Sequence, residues 1–179
     1  MARSTGSWLL GLFGVLTVAA VVSCNGSPTS PSADRNLFVQ LTDDHTENVE
    51  QVNIFFRSVT ANPVGGPPET MILELSSNPQ DLLVLRDAVI PLATAVVTPG
   101  DYESLRINLD EQQSSIVEGG MTLPLRIPSQ EIKILGRFRV DDDGTTTITL
   151  DFDAERSLVR LGNGEWLLKP VIAMEVSEP

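Results

Sequence analysis

Apolar and polar side chains alternate along most of the chain after residue 36. Leu37, Val39 and Leu41 occupy every second position, and the same period recurs in residues 52–56 and 105–109. A period of two places successive side chains on opposite faces and is typical of a half-buried β-strand. The pattern predicts about eight or nine short strands between residues 36 and 179.

Glycine pairs and acidic turns predict how these strands are joined. Residues 119–120 are both glycine and form a two-residue loop that accepts positive φ. Pairing Glu118 with Met121 across this loop places Ile116 opposite Leu123, so the apolar side chains of both strands share one face. The register of this hairpin is therefore internally consistent.

Longer hairpins are expected in the second half of the chain. Residues 131–153 alternate most strongly, on both sides of an acidic turn. Pairing the two halves places Lys133 near Asp151 or Asp153, where opposite charges stabilise a ladder by about 0.2–1 kcal/mol. The turn signal Pro99-Gly100 predicts another hairpin, between the strands before and after it.

One short helix is expected in the middle of the chain. Asn78 is a capping residue, Pro79 suits the first helical position, and Asp81 places a carboxylate near the positive end. The helix is predicted to extend to about Asp87. The closing apolar run, residues 166–176, is expected to be buried on both faces. Together these elements predict an all-β fold, a two-sheet β-sandwich with one short helix.

The N-terminal segment differs in character from everything that follows it. Residues 8–22 are almost entirely apolar, follow Arg3, and end at Ser23 and Cys24. This arrangement resembles the lipobox of bacterial lipoproteins, in which a small residue precedes a cysteine that is acylated and becomes the mature N-terminus. A spanning helix needs roughly 20 apolar residues, so a retained anchor is the weaker alternative. An ordinary secretory signal, with Cys24 a bystander, is the other.

These features divide the chain into three parts. Residues 1–23 are predicted to be a lipoprotein signal peptide, and residues 24–35 an acylated cysteine followed by a flexible Ser/Pro linker. Residues 36–179 are predicted to be a single β-sandwich domain. The expected location is a bacterial membrane, on its outer-membrane, periplasmic or cell-surface face, with the N-terminal lipid as the anchor.

The charge balance excludes one class of partner. The chain has 12 basic and 24 acidic residues, and removing residues 1–23 takes away only Arg3, which leaves 11 basic residues and a balance of -13. Such a surface repels phosphates, so nucleic acid is not expected as a partner. The single cysteine excludes an internal disulfide.

Candidate catalytic chemistry is sparse. His45 is the only histidine and has no nucleophile signature nearby, which argues against a Ser-His-Asp or Cys-His site and against zinc. Asp151 and Asp153 share a strand face about 7 Å apart, a separation that an inverting glycosidase uses. Because any two acids at alternate positions have this spacing, no catalytic residue is predicted, and a carboxylate-based hydrolase is a minor alternative.

Two acidic turns and two aromatic side chains are the candidate binding residues. No cofactor is expected, but calcium is the metal that oxygen-rich turns would favour, and its candidate ligands are Asp141, Asp142, Asp143, Asp43 and Asp44. A sugar-binding platform would need exposed rings. Phe55 and Trp166 are the candidates for it, with burial in the core as the alternative for each. Tyr102 is expected to pack internally, with its hydroxyl bonded to nearby backbone.

A family resemblance covers nearly all of the chain after the linker. The residues that carry it are Leu41-Thr42-Asp43, Val52-Asn53-Ile54, Pro99-Gly100-Asp101-Tyr102, Asp151-Phe152-Asp153, Gly162-Asn163-Gly164 and Leu168-Lys169-Pro170-Val171-Ile172. They resemble a domain of unknown function found in bacterial surface lipoproteins. The resemblance implies a transthyretin-like (prealbumin-type) β-sandwich with Greek-key topology and brings no catalytic residues. The chain departs from the family at Asp44-His45, where a small residue and proline are usual.

Three functional hypotheses follow. The first is a membrane-anchored envelope lipoprotein with a non-catalytic binding or adhesion module, for a glycan or another envelope protein. The second is a structural or accessory module that docks a partner chain through an edge strand. The third is the carboxylate-based hydrolase.

Overall fold

Alternating burial turns the predicted period of two into strands. In the first strand Leu37, Val39 and Leu41 are fully buried, while the intervening Phe38 and Gln40 are half-buried. The computed structural model describes residues 36–44, 49–86 and 88–179. The predicted signal peptide, Cys24, the linker and His45 lie outside these residues. Within the described ranges, no helix has the length and apolar character needed to cross a bilayer.

Fifteen strands form within the described residues. The first seven are β1 (Leu37–Asp44), β2 (Gln51–Ile54), β3 (Phe56–Pro63), β4 (Glu69–Thr70), β5 (Ile72–Leu73), β6 (Gln80–Asp81) and β7 (Ile90–Ala95). The next four are β8 (Gly100–Leu109), β9 (Ser115–Glu118), β10 (Met121–Arg126) and β11 (Glu131–Val140). The last four are β12 (Thr146–Asp153), β13 (Leu158–Arg160), β14 (Trp166–Leu168) and β15 (Ile172–Ser177), with one short α-helix, α1 (Ala154–Ser157), after β12.

The strands make three sheets around one hydrophobic core. A five-stranded sheet has the order β15-β12-β1-β7-β5, a six-stranded sheet the order β13-β14-β10-β9-β2-β6, and a four-stranded sheet the order β11-β8-β3-β4. Buried residues from all three sheets belong to a single apolar cluster, among them Leu41, Ile107 and Leu125. The all-β sandwich prediction is confirmed, although the strands form three sheets where two were predicted. The strand number is higher than expected because bulges and turns divide long segments, and three strands have only two residues each.

The glycine hairpin matches its prediction residue by residue. Met121 lies opposite Glu118 and Leu123 opposite Ile116. Both residues of the 119–120 loop have positive φ, 57° and 73°, which glycine adopts without strain.

The hairpin predicted for residues 131–153 is wrong. β11 pairs with β8 in the four-stranded sheet, whereas β12 pairs with β1 and β15 in the five-stranded sheet. Lys133 therefore lies opposite Arg106 rather than near Asp151 or Asp153. β12 has a neighbour on each side, so the acidic turn carries the chain from one sheet to another.

The hairpin predicted at Pro99-Gly100 is wrong in the same way, since β7 pairs with β1 and β5 while β8 pairs with β3 and β11.

The closing run, residues 166–176, is more exposed than expected. It divides into β14 and β15, and β15 alternates between half-buried and exposed positions, so only one of its faces is covered.

The predicted helix start at Asn78 is replaced by a different contact. Asn78 donates from Nδ2 to the carbonyl of Phe56 (2.7 Å) and accepts the Phe56 N–H at Oδ1 (2.9 Å), as a neighbouring strand would. A 3-10 turn, Leu82–Leu85, follows later and is capped by Asp81, whose side chain accepts the Leu83 N–H. The asparagine and proline signals were therefore assigned to the wrong element.

The start of the described chain is held by three hydrogen bonds from one residue. Asn36 donates from Nδ2 to Val97 O (2.8 Å) and accepts the Val97 N–H at Oδ1 (2.9 Å). Its carbonyl accepts the N–H of Thr146 (2.9 Å). Asn36 thus fixes the beginning of β1 to both of its flanking segments.

Tyr102 packs as the sequence indicates. Its ring is fully buried and stacks on Phe138, with 5.1 Å between centroids and 10° between planes. Its hydroxyl donates to Thr98 O at 2.7 Å, four residues upstream, and also lies 3.2 Å from Glu69 Oε1. This is the geometry of a tyrosine corner, which ties a strand to the turn before it.

Tyr102 is the only tyrosine, so tyrosinate absorbance reports its ionisation directly. Burial, and then the Glu69 carboxylate, raise the pKa of Tyr102 well above its usual value of about 10. Because the folded-state pKa exceeds the unfolded one, its contribution to stability is complete below about pH 10 and is lost as the pH rises toward the folded pKa.

We expect the native chain to develop tyrosinate absorbance at higher pH than the same chain unfolded in urea. Tyr102→Phe supplies the blank for both titrations. Identical curves for native and unfolded chain would contradict the buried tyrosine corner.

Candidate binding site at an open strand edge

β11 lies at the end of the four-stranded sheet and pairs with β8 on one side only. Within the described residues no strand pairs with its other side. An unpaired edge presents free N–H and C=O groups to any chain that can lie alongside it. β11, with ten residues, is the longest of the six strands that end the three sheets, so it offers a partner the longest open edge.

The orientation of the free groups follows from one hydrogen bond. Leu109 N–H donates to Gln130 O (2.7 Å), which makes these two residues a hydrogen-bonded pair in the β8–β11 register. Hydrogen-bonded and non-hydrogen-bonded pairs alternate in an antiparallel ladder. The N–H and C=O of Ile134 therefore point toward β8, while those of Lys133 and Leu135 point to the open side.

A groove of about 380 Å³, lined mainly by aliphatic residues together with Lys133 and polar backbone, runs along this open side and is called the edge groove below. Five consecutive β11 residues line it, Ile132 to Gly136, and the opposite wall contains Pro170, Ile172 and Met174. At its end β11 and β15 approach closely: a Cβ on Gly136 would overlap the Met174 methyl carbon. Gly136 thus lets Met174 pack against the β11 backbone and close one end of the groove.

The rim of the edge groove is basic, in contrast to the rest of this acidic chain. Lys133, Leu135 and Arg137 are all exposed on the outer face of β11, and Leu135 is 73% exposed. Lys133 and Arg137 take part in none of the ion pairs between described residues, and neither does Lys169, which precedes the groove residue Pro170. Six arginines elsewhere do form such pairs: Arg57, Arg106, Arg126, Arg139, Arg156 and Arg160.

A second depression, of about 420 Å³, lies near the far end of β11 between Val64 and Glu178. Asp101, Arg137 and Arg139 line it, and Arg139 contacts both Asp101 (3.2 Å) and Asp141 (2.9 Å). The hydrogen bond to Asp141, and then the charge of Asp101, raise the pKa of Arg139. Arg139 is thus already paired with acids, whereas Arg137, which also lines this depression, is paired with no acid among the described residues.

The two acidic turns proposed for calcium lie far apart. β1 and β12 run parallel, with Asp43 opposite Phe152 at one end, while residues 141–143 precede β12 at the other end, about 20 Å away. Asp43 Oδ1 accepts the N–H of Ala154 (3.0 Å), and Asp141 is paired with Arg139.

The remaining calcium candidates are Asp142, Asp143 and Asp44. Asp142 and Asp143 are exposed in the turn before β12. Asp44 ends β1 opposite Asp153, and its side chain lies outside the described part of the chain. In the described ranges, no three carboxylate, histidine or cysteine side chains are grouped so that they could hold a metal ion. Calcium binding stays a prediction.

Trp166 is buried rather than exposed. Its side chain is 5% exposed, its indole N–H points to Glu118 Oε2 (3.3 Å), and the Arg160 guanidinium lies 5.3 Å over the ring while also pairing with Glu118. Phe55 is half-buried between β2 and β3. Phe55 and Trp166 therefore do not form the exposed aromatic platform that a sugar site would need. Trp166 is buried in the core, which was the alternative expected for it.

The paired carboxylates have local structural contacts. Asp153 Oδ1 accepts the Arg156 N–H at 2.8 Å and caps α1, and the Arg156 side chain also lies 3.7 Å from Asp153 Oδ2. Asp151 is half-buried on the same strand. The structure keeps the two acids on one face but gives Asp153 a capping role that the spacing alone did not suggest.

Sequence reasoning missed the edge groove because it assigned β11 to the wrong partner. Two signals in the sequence mark it in retrospect. Gly136 interrupts a β-branched and aliphatic strand, which indicates close approach of another backbone or side chain. Leu135 stands between two basic residues on the polar face of β11, where a polar residue is expected.

Comparison with known proteins places the chain in context. The family model described as Domain of unknown function (DUF4382) matches residues 36–170, most of the chain. No curated protein and no solved structure matches the chain. The match includes all of β11 and the first residue of the opposite wall, Pro170.

The orientation of the β11 backbone is testable with two proline variants. Proline lacks an N–H, and we expect Leu135→Pro to lower the free energy of unfolding by less than about 1 kcal/mol relative to Leu135→Ala, because that N–H faces the open edge. Ile134→Pro removes an N–H that donates to a β8 carbonyl and should cost about 1–3 kcal/mol more than Ile134→Ala, because that carbonyl is left without its partner.

Urea unfolding of the detergent-solubilised full chain, followed by tryptophan fluorescence, measures both differences. Equal costs at positions 134 and 135 would contradict the assigned orientation.

Proposed function

We propose that this chain, which belongs to the family described as Domain of unknown function (DUF4382), is a non-catalytic binding module of the bacterial cell envelope, held on a membrane by an N-terminal lipid. The single observation that carries the binding role is the open edge of β11 with the edge groove beside it. Proteins usually cover, bend or charge such an edge, because it invites pairing with other chains. β11 is charged at Lys133 and Arg137 and has a register shift between Leu135 and Phe138, but no described strand covers its edge, and a groove lies beside it.

Strand addition is the binding mode that fits this surface. An extended segment that lies along β11 gains main-chain hydrogen bonds, and alternate side chains enter the groove and give specificity. This supports docking of a partner chain, the second hypothesis from the sequence, over glycan adhesion. A glycan platform needs exposed aromatic rings, and Trp166 already has Arg160 and Glu118 on its face and edge.

The membrane anchor is the other half of the proposal. Residues 1–23 act as a lipoprotein signal peptide, and acylation of Cys24 gives lasting attachment because each buried methylene contributes about 0.8 kcal/mol. The Ser/Pro linker after Cys24 reaches roughly 35 Å when fully extended. That length allows the domain to stand clear of the headgroups while it remains tethered.

The family resemblance described from the sequence supports a transthyretin-like (prealbumin-type), Greek-key arrangement of the sandwich. Such sandwiches present loops at their ends and strand edges at their sides, and the proposed docking surface is one of those side edges. A hydrolase is less well supported, since Asp153 already caps α1 with one oxygen.

Lipid attachment is tested by growing cells on a clickable fatty acid. We expect the wild-type chain to be labelled and Cys24→Ala to lose the label, because the acyl chains are carried by that sulfur and amine. Ser27→Ala, three residues into the linker, is the matched control and should be labelled like wild type. Equal labelling of wild type and Cys24→Ala would remove the anchor from the proposal.

A further inference from the structure

We propose that the edge groove binds an extended, acidic segment of a partner polypeptide, which adds to the four-stranded sheet beside β11. This inference rests on the proposed function, because it names the chemistry of the partner for the same surface. The segment carries two carboxylates four residues apart, with apolar side chains between them.

The backbone of β11 sets the length of the segment. The groove is lined by five consecutive residues, Ile132 to Gly136, which corresponds to about 17 Å of strand. The outward N–H and C=O groups of Lys133 and Leu135 provide four main-chain hydrogen-bonding groups along this length. A partner strand of five to six residues is enough to satisfy them.

The two faces of the sheet set the order of side chains in the segment. Residues directly opposite each other on neighbouring strands have Cβ atoms about 5 Å apart and interact on the same face. On the inner face the added strand meets Ile134 and the wall of Ile172 and Met174, which requires apolar residues. On the outer face it meets Lys133, Leu135 and Arg137 in turn, which requires an acid, an apolar residue and an acid.

The unpaired cations select the charge of the segment. The chain has 24 acidic and 12 basic residues, so an unpaired basic side chain has many potential internal partners. Lys133 and Arg137 nevertheless make no ion pair with any described residue, and both flank the exposed Leu135. An acidic strand supplies carboxylates that can pair with Lys133 and Arg137.

The same cations argue against two other occupants. A second copy paired edge to edge would bring the basic residues of two β11 strands against each other, and like charges directly opposite are destabilising. An anionic lipid surface would be repelled by the net charge of -12. The rim therefore favours a foreign acidic strand over self-association.

Two fluorescent peptides test the proposal against the detergent-solubilised full chain by anisotropy. The first has the central sequence Glu-Val-Leu-Val-Glu, and the second replaces both glutamates with lysine. We expect the acidic peptide to bind and the basic one to bind at least tenfold more weakly. Raising the salt concentration should weaken binding of the acidic peptide, because exposed charges are screened.

Reversing the charges of Lys133 and Arg137 is the decisive experiment. Lys133→Glu combined with Arg137→Glu should weaken the acidic peptide at least tenfold and strengthen the basic one. The matched control is Arg126→Glu combined with Arg156→Glu, which changes the net charge equally on β10 and α1 and should leave both affinities within twofold. Circular dichroism of each variant verifies the fold.

Leu135→Pro and Leu135→Ala separate this inference from the proposed function. Loss of acidic-peptide binding in Leu135→Pro, but not in Leu135→Ala, supports strand addition. If the peptides bind and depend on that N–H but ignore the charge reversal, docking at the edge stands and the acidic partner is overturned. If no peptide binds, or binding is indifferent to both changes, the inference is overturned.

Two further results would also overturn it. One is binding to vesicles of anionic lipid that depends on Lys133 and Arg137 while the acidic peptide does not compete. The other is a dimer in sedimentation that Leu135→Pro dissociates, which would make a second copy the occupant.

Discussion

The parallel pairing of β1 with β12 is the interaction on which the sandwich depends. Eight consecutive residue pairs join the two strands, from Leu37 opposite Thr146 to Asp44 opposite Asp153. β1 also pairs with β7, and its three aliphatic side chains are fully buried in the shared core. With β15 on its other side, β12 has no free edge left for β11. The open edge of β11 is thus a consequence of how the five-stranded sheet is completed.

That open edge is shaped by side chains from a neighbouring sheet. Met174 of β15 packs over Gly136, and Ile172 and Pro170 continue the wall beside Ile134. The groove therefore belongs to two sheets at once, and it exists because the last strand of one approaches the last strand of another without pairing. Its basic rim contrasts with a surface whose other arginines are largely engaged with acids.

Local features were predictable from the sequence, and long-range pairing was not. The 119–120 glycine loop determined its own register because two residues separate the strands it joins, and the tyrosine corner at Tyr102 needs only the turn four residues upstream. The 131–153 pattern was equally regular, but alternation specifies a buried face and not a neighbour. β1 lies about a hundred residues before β12, and no local signal links them. The candidate site was missed because it depends on that same pairing, while Trp166 was left open because the groups that cover it, Arg160 and Glu118, lie on other strands.

The contacts of Asn36 have a mechanical consequence for the membrane tether that we propose. A pull on the chain ahead of this residue, directed along β1, acts on its bonds to Val97 and Thr146 and on the ladders with β7 and β12 together. Strands loaded lengthwise must break many bonds at once, whereas strands loaded crosswise open one bond at a time. Resistance to such a force is a matter of unfolding rate rather than of equilibrium stability. We therefore expect the domain to unfold slowly when its N-terminal segment is pulled along β1.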